Sequence, residues 1–361
     1  MDQPNIRTLS ISQLAEAIEL SVYTGDPLVI LGPPGIGKTE IARQVASKLN
    51  LTYTEMLLAG RDIGDIMMPY VAPPEKVFNE ETGEWQHLPT RLEIHYSPKI
   101  PHVGNTNFDG PTLLNIDEFS GAKPMMQNVL LKVLDEWIIG EAELRQDVSI
   151  IATGNRSWDR AHTERLSAAL GNRANIIHFE ADAEFWINWG VSNNIHPLVL
   201  AWVKFDPSHL FAFDDKAFMA GDFAFPSPRS NKRLSNLMNA KDQRPISTEL
   251  FRGEVCGAIG QSLGIKFASF IAIQDRLPNL DAIVNGEKQK HPEEPSIIHT
   301  CIFALLQRSD PDNFTNILNW IDGLPGEWHM MFTSALVHAK PQLISTAAWA
   351  KWMLDHPDTL S

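Results

Sequence analysis

Gly32-Pro33-Pro34-Gly35-Ile36-Gly37-Lys38-Thr39 is the stretch that decides the fold of this chain. It follows an apolar run, Leu28-Val29-Ile30-Leu31, and precedes a helical pattern from Glu40 to Leu49. The spacing is G-x-x-x-x-G-K-[ST]. Its glycines let backbone N–H groups turn inward around a polyphosphate with no Cβ in the way. A helix that starts there aims the positive end of its dipole at the same anion. Lys38 reaches the outer phosphates, and Thr39 offers a hydroxyl to Mg²⁺. The loop predicts binding of a nucleoside triphosphate, with Gly32, Pro33, Pro34, Gly35, Ile36, Gly37, Lys38, Thr39 and Glu40 around the phosphates. A plain glycine-rich turn at a helix start is the simpler alternative. The strand in front of the loop argues against it.

Outward from the loop, strands and helices alternate. An amphipathic helix is predicted over Ser12–Val22, ended by Gly25-Asp26-Pro27, and strands over Leu51–Leu58, Thr112–Ile116, Ser149–Ala152 and Ala174–Phe179. Helices are predicted over Pro124–Glu136 and Glu164–Leu170. This alternation implies an α/β fold, a parallel sheet covered by helices on both faces. Residues 60–111 interrupt it. They are rich in Pro and Gly, and Lys76–Phe78 and Glu84–His87 flank a hairpin tip at Glu81-Thr82-Gly83. A second small hairpin is expected over Trp137–Val148, turning near Gly140. After about Glu180 only helical spacing remains, over 183–191, 196–203, 229–240, 248–273 and from 296 toward 354. Seven of the ten tryptophans lie there, either as packing between helices or as an exposed aromatic surface for a partner.

The second landmark is Leu113-Leu114-Asn115-Ile116-Asp117-Glu118, a buried strand that ends in two carboxylates. The carboxyl end of such a strand lies beside the phosphate loop of the same sheet. There Asp117 can hold Mg²⁺, and Glu118 can orient and deprotonate an attacking water. A solvated helix cap is the ordinary alternative for Asp-Glu. Thr153-Gly154-Asn155 closes the next strand, so Asn155 is placed to bond the γ-phosphate or the lytic water, unless it only forms a turn. Arginines supply the remaining charge. A phosphoryl-transfer transition state is stabilised by an arginine finger worth about 10³ to 10⁵ in rate. Arg173 lies between a helix and a strand, Arg165 competes with it, and Arg229 opens the helical region after Pro226-Ser227-Pro228.

The whole chain sets limits on these readings. With 361 residues, 43% of them hydrophobic, it fits two domains and an appendage. Acidic residues outnumber basic ones, 44 to 30, for a net charge of −14, which argues against coating nucleic acid as the main task. Cys256 and Cys301 sit in apolar helical surroundings and read as small buried hydrophobes. MDQPNIRTLS contains no apolar signal core, and no run of 18 apolar residues occurs, so a cytoplasmic location and no membrane span are expected.

In their order, these landmarks resemble the AAA+ ATPases, and the chain looks like the MoxR branch of that superfamily. Asp62-Ile63-Gly64-Asp65-Ile66 followed by Pro69 is similar to that branch's Asp-Leu-x-Gly-x-Pro segment. The hairpin at 137–148 stands where the branch places one before its first sensor, and Ser227-Pro228-Arg229 resembles its second sensor. The chain departs from the branch at Ala174, where Phe usually follows the finger Arg, and at Ile66-Met67-Met68, where a Gly is missing. The resemblance covers roughly residues 10–280. It implies ATP and Mg²⁺ as cofactors, Lys38 and Thr39 as Walker A, and Asp117 and Glu118 as Walker B. It implies Asn155 as sensor 1, Arg229 as sensor 2 and Arg173 as a finger donated to a neighbouring subunit. The expected domains are a nucleotide-binding core over 1–180, a helical lid over 181–280 and a helical extension over 281–361. Proteins of this kind form homo-oligomeric rings, commonly hexamers, and remodel or activate protein partners, often ones with a von Willebrand A domain. The competing reading is a nucleic-acid motor of the wider clade, a helicase loader or a McrB-like machine. The acidic balance opposes it.

Overall fold

The computed structural model describes residues 8–74, 76–79, 83–87, 89–156, 159, 168–271 and 276–357. They fall into two compact units, Met1–Glu180 and Ala181–Ser361.

The first unit is built on strands β1 (Thr8–Leu9), β2 (Leu28–Leu31), β3 (Thr52–Leu57), β4 (Met67–Ala72), β5 (Lys76–Asn79), β6 (Glu84–His87), β7 (Arg91–Tyr96), β8 (Thr112–Asp117), β9 (Ile138–Ile139), β10 (Ala142–Glu143), β11 (Val148–Gly154) and β12 (Asn175–Phe179). Its helices are α1 (Ile11–Thr24), α2 (Lys38–Lys48) and α3 (Pro124–Glu136). Six strands form one sheet in the order β1-β12-β2-β11-β8-β3, and every pairing is parallel. All four residues of β2 are buried, as are the first five of β8 and all of β11 except Ser149, as a sheet covered on both faces requires. Met126, Leu130, Val133 and Leu134 of α3 pack in one core with Val29, Leu31, Ile116 and Ile150. The polar exception in β8, Asn115, is fully buried and donates to the Tyr53 hydroxyl at 2.9 Å. A Ser10–Gln13 capping box starts α1, and left-handed Gly25 ends it.

The expected insertion hairpin is present, with β5 and β6 antiparallel; residues 80–82 of its tip lie outside the described residues. A second ladder, β4 against β7, is antiparallel and absent from the sequence reading. The small hairpin turns at Gly140 between β9 and β10. Of the helix expected over 164–170, residues 164–167 lie outside the described residues, and 168–172 form a 3₁₀ turn.

The second unit is helical: α4 (Ala183–Ser192), α5 (Pro197–Phe205), α6 (Asp215–Met219), α7 (Pro228–Gln243), α8 (Thr248–Ile259), α9 (Gln261–Phe270), α10 (Leu280–Val284), α11 (Pro295–Arg308), α12 (Phe314–Asp322), α13 (Gly326–Ala339) and α14 (Ala347–Asp355). One apolar core draws on helices from α4 to α14 and includes Trp186, Trp202, Trp320, Trp328, Trp349 and Trp352. Those tryptophans are therefore packing residues rather than an exposed aromatic face. The continuous helical pattern expected over 248–273 is broken at Gly260. Its φ of 91° suits glycine, and a Cβ there would stand 2.9 Å from the carbonyl oxygen of Ala224. Cys256 and Cys301 are buried and free. Burial pushes the Cys301 thiol up to about 12. Among the described residues no helix is long and apolar enough to cross a membrane.

Candidate active site

The phosphate loop joins the carboxyl end of β2 to the first turn of α2. Gly32 is there because no side chain fits: a Cβ would lie 2.4 Å from the carbonyl oxygen of Phe179 at the end of β12. Gly35 and Gly37 have φ values of 79° and 100°, in the left-handed region. Ile36, 3% exposed, anchors the loop to the core. The N-cap of α2 is Gly37, and no side chain caps it. The N-terminal end of such a helix faces an anion bound at the loop. Exposed Glu40 pairs with Arg43 on the outer face of the helix.

Lys38 is buried and lies back along the loop. Its ammonium donates to the carbonyls of Gly32 at 2.6 Å and Pro33 at 2.9 Å, and to Oδ1 of Asn155 at 3.2 Å. Thr39 donates its hydroxyl to Oδ2 of Asp117 at 3.2 Å. The other Asp117 oxygen accepts from the Thr153 hydroxyl and, at 3.0 Å, from the Glu118 N–H. A hydroxyl and a carboxylate oxygen converging beside a phosphate loop are hard donors suited to Mg²⁺, which takes its remaining ligands from phosphates and water. Glu118 is exposed and left-handed, with φ 54°. That turn puts its side chain on a different heading from Asp117.

Strand order makes these contacts possible. β11 lies between β2 and β8, so Thr153 and Asn155 at its end stand between the loop and the acids. The structure thus brings Lys38, Thr39, Asp117 and Asn155 into one connected cluster, with Glu118 beside it.

Arg173 is elsewhere in the same unit. Asn175 of β12 pairs with Leu28, at the start of β2, while the loop leaves β2 after Leu31. At about 3.3 Å per residue, Arg173 stands well over 10 Å from its own phosphate loop. Its Nε donates to Asp135 Oδ2 at 2.9 Å and its Nη1 to the Ala169 carbonyl at 3.2 Å. Arg165 lies outside the described residues. Arg229 is in the second unit, exposed on the first turn of α7, whose Ser227 caps it with Ser230.

Two features escaped the sequence reading. Ser120, 1% exposed, accepts from the Asn155 N–H at 2.7 Å. Arg156, 7% exposed, is gripped by Asp159 through Nε at 2.9 Å and by Glu180 through Nη1 at 2.9 Å. Burial alone would lower the Arg156 pKa, but the two carboxylates raise it above the usual value. The glycine before Asn155 was the available signal for Ser120. Nothing in the spacing pointed to Arg156.

With β11 between β2 and β8, the phosphate loop and the acidic pair open at the same edge of one parallel sheet, the arrangement of a P-loop ATPase. The comparison with known families agrees: residues 27–174 match the AAA domain of the dynein-related subfamily, and this part of the chain is an AAA+ ATPase domain. It is 25% identical over 290 residues to the Lon protease of Mycoplasmopsis agalactiae, a match over 75% of this chain and 25% of that protein. The chain thus spans about a quarter of the length of that relative. Among solved structures, a candidate ATPase from Cytophaga hutchinsonii is 13% identical, with a TM-score of 0.34 over 73% of this chain and 79% of that one. The Thermotoga maritima RuvB Holliday junction branch migration motor is 16% identical, with a TM-score of 0.35 over 77% of this chain and 80% of that one.

Proposed function

We propose that this chain is a MoxR-like AAA+ ATPase that hydrolyses ATP with Mg²⁺ in a homo-oligomeric ring, a hexamer, and uses the cycle to remodel or activate a protein partner in the cytoplasm. The observation that carries the hydrolytic part is the continuous contact from Lys38 through Asn155 and from Thr39 through Asp117 to Thr153. Residues 32–40 hold the triphosphate. Thr39 and Asp117 hold Mg²⁺, which neutralises charge on the β- and γ-phosphate oxygens when bound. Glu118 takes the proton of the attacking water, and Asn155 orients that water or the γ-phosphate. Arg229 acts as the second sensor from a helical lid over 181–280, and residues 281–361 form a C-terminal helical extension.

Two arguments support a ring. Arg173 stands at the end of the sheet opposite its own loop, so as a finger it serves a neighbour. Coupling hydrolysis to subunit motion is the usual gain from such an arrangement. The protease named among the relatives is in keeping with a polypeptide as the target, and the net charge of −14 opposes nucleic acid. A von Willebrand A domain in the partner is inherited from the MoxR resemblance alone. The test is a mixing experiment. Arg173→Ala and Lys38→Ala proteins, each inactive alone, should regain turnover when co-assembled, because a Lys38→Ala subunit lends its Arg173 to an intact loop. Co-assembled rings with no recovered activity refute a finger supplied in trans.

A further inference from the structure

Glu118 and Asn155 come from different strands, and no hydrogen bond joins their side chains among the described residues. Two side chains link the segments that carry them: the Thr153 hydroxyl donates to Asp117, and Ser120 reaches Asn155 itself. Ser120 lies in the 3₁₀ turn Phe119–Gly121 that begins directly after Glu118, and its hydroxyl oxygen accepts from the backbone N–H of Asn155 at 2.7 Å. The approach is close because residue 154 is a glycine. A Cβ on Gly154 would lie 2.9 Å from Ser120 Oγ, 3.1 Å from its Cβ and 3.2 Å from its N. Ser120 is buried, so water does not compete for this bond. Asn155 in turn meets Lys38 through Oδ1 at 3.2 Å.

We propose that Ser120 is a positioning residue for hydrolysis: its hydroxyl sets where Asn155 stands relative to Glu118, so that both groups address the same water. This rests on the roles proposed above for Glu118 and Asn155. Without the Ser120 oxygen, the Asn155 N–H loses its acceptor, and residue 155, one beyond the bonds that hold Thr153 and Gly154, can shift against the turn. Misplacement by about 1 Å at a reacting centre costs on the order of 10²-fold in rate. Triphosphate binding through residues 32–39 does not use this contact.

The test is a double-mutant cycle in the full chain. Ser120→Ala should lower kcat by about 10- to 100-fold while the Kd for ATPγS stays within about twofold. Ser120→Cys keeps a similar shape with a weak acceptor, should fall between, and carries the comparison if Ser120→Ala folds poorly. In an Asn155→Ala background, adding Ser120→Ala should change kcat by less than about twofold, because no amide side chain is left to misplace. A Ser120→Ala loss that persists undiminished in that background overturns the proposal, as does a rise in Kd that accounts for the whole loss. An impaired Asn155→Ala enzyme beside a normal Ser120→Ala enzyme overturns the positioning role alone. Normal turnover in both also removes Asn155 from the mechanism.

Discussion

Arg173 and Asp135 form an ion pair at 2.9 Å within one chain, with the side chains about one third and one half exposed. The arginine proposed as a finger for a neighbouring subunit is thus held by a carboxylate on the last turn of α3. A pair this exposed contributes no more than about 1 kcal/mol to stability. Asp135→Asn should leave Tm within about 2 °C yet lower turnover several-fold by loosening the guanidinium. Thermal melts and steady-state ATPase assays separate the two effects; a large Tm loss with full turnover would make the pair purely structural.

Glu118 leaves the strand in a left-handed turn, exposed beside the buried cluster. Glu118→Gln retains the shape and removes the proposed base. Turnover should drop by about 10²- to 10⁴-fold while ATP binding persists. Unchanged turnover in a single-cycle assay would show that another group takes the proton.

Gly32 touches β12. In Gly32→Ala the new methyl would meet the carbonyl oxygen of Phe179 at 2.4 Å, and backbone cannot swing aside as a side chain does. The expected cost is about 1–3 kcal/mol, with nucleotide affinity lost because the loop shifts. Denaturant melts and ATPγS titration check both parts. Wild-type affinity in a stable Gly32→Ala protein would contradict the close packing.

Arg156 and Asp159 pair at 2.8 Å with side chains 7% and 5% exposed. Removing one partner of such a buried pair costs on the order of 3–5 kcal/mol, because the remaining charge stays buried. Asp159→Ala should therefore be strongly destabilising. Glu180→Gln, at the half-exposed partner of the same arginine, should cost about 1 kcal/mol or less. Equal losses in urea melts would argue against that division.

His299 gives the second unit an acid sensitivity. Burial, with help from the Lys204 charge, lowers its pKa to about 4, and its ring packs edge-on against Trp328. The folded histidine stays neutral while the unfolded one takes up a proton near pH 6.5. Its contribution is therefore present above about pH 6.5 and is lost progressively as pH falls toward 4, by up to about 3 kcal/mol. Burial lowers His196 and His209 in the same direction. Urea melts from pH 7 to 4 should show falling stability, with a shallower slope for His299→Leu. A slope identical to wild type would show that His299 does not carry the effect.

Much of the fold was legible because its signals are local. β2 and β8 are apolar runs beside turn-forming or charged ends, and α3 shows its stripe of Met126, Leu130, Val133 and Leu134 at helical spacing. The ladder between β4 and β7 was missed. Both strands are largely exposed, and Pro69 lies inside one of them, so neither shows the alternation of a half-buried sheet. The break at Gly260 was also hidden, because the glycine sits in an otherwise continuous helical pattern and its reason is the distant carbonyl of Ala224.

The sequence by itself determined the chemistry on offer: a phosphate loop at 32–39, acids at 117 and 118, and a polar strand end at 153–155. Each is a short run whose residue types and spacing follow from backbone geometry and charge. Only the tertiary structure decided which of these groups meet. It placed β11 between β2 and β8, set Ser120 against Gly154 and tied Arg173 to Asp135. Such contacts join residues up to 117 positions apart, as between Lys38 and Asn155. Strand order and close packing create them, and neither is written in any local pattern of the chain.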